Sequence, residues 1–240
     1  MSRFATSKYD YWPIYEHLKK YYPLGITIQY DDIAELWSYP GYKELGNQIV
    51  TAIQDEAQYA KWTQFTAQIA DTVGFPSMST TYGQHPCYSA ILKIDEVAVG
   101  NRLLVKELFF AVSVVGPFYT VLGQDQVVTT LIDQPVRSTS YLTLSPQDEY
   151  KEAFEATCQA IEQYFTGYRF VPFSIATRRL QGLYYGVNES DHNPIFYGLF
   201  NDQVDIHAAT VGSRSYKNGD WIRSDWKDDG GRWEICPPMM

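Results

Sequence analysis

Leu103–Leu122 reads LLVKELFFAVSVVGPFYTVL, and its reading decides the fold. From Leu108 to Val115 the run is apolar except for Ser113 and rich in Val and Phe. A run without polar alternation suits a strand buried on both faces. A helical stripe through Leu104, Leu108, Ala111, Val112 and Val115 fits the same residues. The β-branched residues at 112, 114 and 115 favour strand. Gly116-Pro117 interrupts the run, and Phe118–Leu122 resumes strand composition. Proline cannot take the positive φ of a type I′ turn, so a longer turn or a bulge is expected there.

Upstream of this spine, Cys87–Val99 reads as a strand, with Gly100-Asn101 as the turn between the two. Downstream, Val127–Ile132 and Tyr141–Leu144 are short strand candidates. Helices precede the sheet. Tyr11–Tyr22 carries Ile14 and Leu18 four apart, with Asp10 as a candidate N-cap and Pro13 in the first turn. Asp31–Trp37 reads as a short helix. From Tyr42 to Val73, Leu45, Ile49, Ile53, Ala57 and Ala60 recur at helical spacing, and Trp62, Phe65, Ile69 and Val73 continue with a phase shift. That pattern predicts two helices, or one broken near Tyr59. Gly74 and Pro76 supply the stop.

One more helix is expected over 146–166. Ser145 is its N-cap candidate and Pro146 its first residue. Tyr150, Phe154, Cys158, Ile161 and Phe165 form its apolar stripe, and Gly167 its C-terminal glycine. Its outer face carries Asp148, Glu152, Glu155 and Glu162. Arg169–Val187 gives no single reading, and Ile195–Phe200 is apolar and short. At the C-terminus, Asn218-Gly219 and Asp229-Gly230-Gly231 punctuate a β-meander. The expectation is α+β: a mostly antiparallel sheet covered by N-terminal helices and one long helix, with a C-terminal β-meander. With no repeat or low-complexity linker, one domain over 1–240 is expected, helical over 1–76 and sheet-rich over 87–240.

Composition narrows function. Nineteen Lys and Arg against 28 Asp and Glu give a net charge of −9. An acidic body is repelled by nucleic acid and by anionic membranes, so neither is expected as partner; a basic protein is. Cys87, Cys158 and Cys236 are odd in number and far apart, which fits reduced thiols in the cytoplasm. No signal peptide and no membrane-spanning run is read.

No phosphate loop, dinucleotide fingerprint, nucleophile elbow or HExxH is present. His85-Pro86-Cys87 brings a base near a thiol, but facing the two across a proline needs a special turn, so Cys87 reads as a small buried residue. Asp191, His192, Asp202, Asp205 and His207 form a loose acid and histidine set without metal-ligand spacing. Asp225–Gly230 mimics a calcium loop, but Lys227 stands where an acid belongs and Cys236 where the closing Glu does. No metal and no cofactor are expected.

Three readings follow. The first is a non-enzymatic, acidic protein-binding protein, of the immunity or inhibitor kind that neutralises a basic toxin or effector, using Asp148, Glu152, Glu155 and Glu162. The second is an enzyme with a scattered site at Asp191, His192, Asp205 and His207. The third is a carbohydrate-binding module using Trp221, Trp226 and Trp233. Trp221 and Trp226 differ in strand parity, which weighs against a flat sugar platform.

Overall fold

The computed structural model describes residues 11–26, 33–131, 134–143, 150–171, 173–185, 192–201, 203–204, 206 and 210–211. The expected C-terminal meander, the N-caps Asp10 and Ser145, and Asp148 lie outside these residues. Four helices come first: α1 (Tyr11–Tyr21), α2 (Ile33–Ser38), α3 (Pro40–Gln54) and α4 (Glu56–Val73). Next come β1 (Ser77–Ser79), β2 (Cys87–Val99), β3 (Arg102–Ser113), β4 (Phe118–Leu131) and β5 (Gln134–Thr143). Helix α5 spans Lys151–Tyr164, and β6 (Arg169–Phe170), α6 (Phe173–Ala176), β7 (Arg179–Gln181), β8 (His192–Pro194), α7 (Ile195–Leu199) and β9 (Thr210–Val211) complete the order.

The fold is α+β. The main sheet runs β1-β2-β3-β4-β5-β9, antiparallel except for β9 beside β5 and for β6, which pairs parallel with the start of β4. β7 and β8 form a separate two-stranded ribbon. The spine is the β3–β4 hairpin. Its four-residue link, 114–117, is the longer turn that Pro117 requires.

Both faces of β3 are buried, which explains the missing alternation. Leu108, Phe110 and Val112 point to one face, where they meet Trp62, Phe65 and Ile69 of α4 and Ala153, Phe154 and Ile161 of α5. Phe109 and Ala111 point to the other, against Ile14 and Leu18 of α1, Leu45 and Ile49 of α3, and Phe196 and Leu199 of α7. Each such side chain removed from water stabilises by about 1.5–3 kcal/mol, so a polar residue anywhere on this half of β3 would be costly.

Two expectations are corrected in detail, and two further segments are placed. The break between α3 and α4 falls at Asp55, not near Tyr59, because the Asp55 carboxylate accepts the amide N–H groups of Ala57 and Gln58, both at 3.0 Å. The two short strands are parts of long ones: β4 runs unbroken through Gly123-Gln124-Asp125-Gln126 because β3 and β5 pair with it on both sides. The described part of the long helix begins at Lys151 and ends at Tyr164, with Gly167 at φ +87° turning the chain just beyond it. Ile195–Leu199 is a single helical turn of wholly buried side chains, packed between α1 and the sheet.

Candidate functional site

Helix α5 follows its periodicity. Ala153, Phe154, Thr157 and Ile161 turn to the sheet, while Glu152, Glu155 and Gln159 are exposed. The helix lies antiparallel to β4. At its start, the Tyr150 hydroxyl donates to the backbone oxygen of Gln124 (2.9 Å) and to the Asp125 carboxylate. At its end, the Tyr119 hydroxyl donates to Glu162 Oε1 at 2.6 Å. These two phenols fix the helix along and about its axis.

Of the four acids that the sequence puts on this face, Glu152 and Glu155 stand together, one turn apart, on the solvent side. Among the described residues neither forms an ion pair. Glu162 is exposed too, but one of its oxygens is committed to Tyr119. Burial, then the neighbouring Cys158 and Glu162, push the Tyr119 phenol far above the usual tyrosine range, so it stays a donor at any physiological pH. That bond was not readable from spacing: it joins residues 43 apart in sequence.

His85, Cys87 and their surroundings form the second polar region. Cys87 is fully buried, and its Sγ accepts from Asn201 Nδ2 at 3.5 Å. The same amide reaches Ser89 Oγ at 3.3 Å, Thr80 Oγ1 donates to Ser89 Oγ at 2.9 Å, and Asn201 Oδ1 accepts the amide of Gln203 at 3.1 Å. The network fastens the chain after α7 to the first residues of β2. Burial pushes the Cys87 thiol up to about 12, only partly offset by the bonds from Asn201 and Ser89. The group is therefore a neutral thiol, not a nucleophile. The His85 ring packs instead among tyrosines in tilted contacts, 5.2 Å from Tyr82 and 6.3 Å from Tyr185 between centroids.

A thiol so held resists alkylation. Native protein treated with iodoacetamide near pH 8 is expected to leave Cys87 unmodified while partly exposed Cys158 is labelled, read by peptide mass mapping. Equal labelling at the two positions would show that the Asn201 clasp opens readily.

The remaining candidates are only partly placed. His192 pairs through its backbone with Gln181 in the β7–β8 ribbon. Asp191, Asp202, Asp205 and His207 lie outside the described residues, as do Trp221, Trp226, Trp233 and Cys236. Among the described residues no group of three or more His, Cys, Asp or Glu side chains is arranged to hold a metal ion. No described helix is long and apolar enough to cross a membrane.

Compared with known protein families, curated proteins and solved structures, the chain matches none. The structure defines a class of architecture: a mostly antiparallel sheet clad in helices on both faces, with two exposed glutamates on one of those helices that form no ion pair among the described residues.

Proposed function

We propose that this chain is a non-enzymatic binding protein whose partner is a basic protein, in the manner of an immunity protein or inhibitor that neutralises a cationic toxin or effector. The carrying observation is the pair Glu152 and Glu155, exposed on α5 and forming no ion pair among the described residues, in a chain of net charge −9. Unpaired like charges one turn apart repel each other slightly in the free protein. A cationic surface relieves that repulsion, speeds encounter and rejects acidic competitors. The neutral, clasped state of Cys87 supports the non-enzymatic part of the reading, since it weighs against the thiol candidate that lies two residues from a histidine.

The test is direct. Affinity capture from the native host at low salt identifies the partner, and titration calorimetry measures it at about 50 mM and about 300 mM salt. Binding is expected to weaken steeply between the two. The double variant Glu152→Lys/Glu155→Lys is expected to lose about tenfold or more in affinity at low salt and to flatten the salt dependence. A salt-independent complex, or one indifferent to the reversal, would remove α5 from the interface.

A further inference from the structure

We draw no further inference here: the strongest candidate, the exposed apolar row of Val97, Val99 and Leu104 on the β2–β3 hairpin, carries nothing, because the charges around it balance and nothing in the structure shows what covers it.

Discussion

Gly182→Ala is expected to cost about 3–5 kcal/mol of stability, among the largest losses available from a single added methyl. Gly182 holds φ at +78°, a region that strains an L side chain. Strain alone is the smaller part. A Cβ at this position lies 2.0 Å from the backbone oxygen of Pro23 and 2.8 Å from its carbonyl carbon. These are main-chain atoms with no rotamer to retreat into. The approach is held from both sides, since the Gly25 amide donates to the Gln181 oxygen at 2.9 Å and Leu183 is fully buried next door. Gly182 is thus where the end of α1 docks on the β7–β8 ribbon. A control separates strain from collision. Gly74 holds φ at +75° as the C-cap of α4, with nothing within 4 Å of its Cβ position. Gly74→Ala is expected to cost only about 1–2 kcal/mol. Urea denaturation of the two variants measures the difference. Similar losses would mean that the contact with Pro23 relaxes without cost.

The sequence carries the inner structure more fully than the outer. Leu108–Val115 is legible because burial on both faces leaves no room for polar residues, and that signature is local. The end of α4 is legible because Gly74 and Pro76 act within a few residues of the helix. Long-range support leaves no such mark. Gln124 and Asp125 fall between two strand candidates in the sequence, yet β4 passes through them because β3 and β5, distant in sequence, pair with it on both sides. Asp55 reads as one more polar residue of a long helix, and only the geometry of the Ala57 and Gln58 amides makes it a cap. The placement of Glu152 and Glu155 on the solvent side follows from helical periodicity. That Glu162, on the same face, reaches back to Tyr119 does not, because it depends on which strand lies beneath the last turn of α5.

The same burial logic sets the expected behaviour of Trp62. Its ring is 1% exposed and lies within 5.6–6.4 Å, centroid to centroid, of Phe65, Phe110, Tyr88 and Phe165. It thereby joins α4, β2, β3 and the end of α5 at one point. Trp62→Ala removes the largest buried side chain of that face, and the surrounding rings belong to four different elements that cannot all collapse inward. A loss of about 3–5 kcal/mol is expected, with a lowered urea midpoint and an unchanged slope. Trp62→Phe discriminates further. Among the described residues the buried indole Nε1 has no hydrogen-bond partner, so the native state bears the cost of an unsatisfied donor. Phenylalanine gives up ring volume but also removes that donor. The two effects oppose, and a net loss of only about 1 kcal/mol is expected. A Trp62→Phe loss approaching that of Trp62→Ala would show that the indole N–H is in fact bonded, through an enclosed water, and that the contact between α4 and the sheet is polar as well as aromatic.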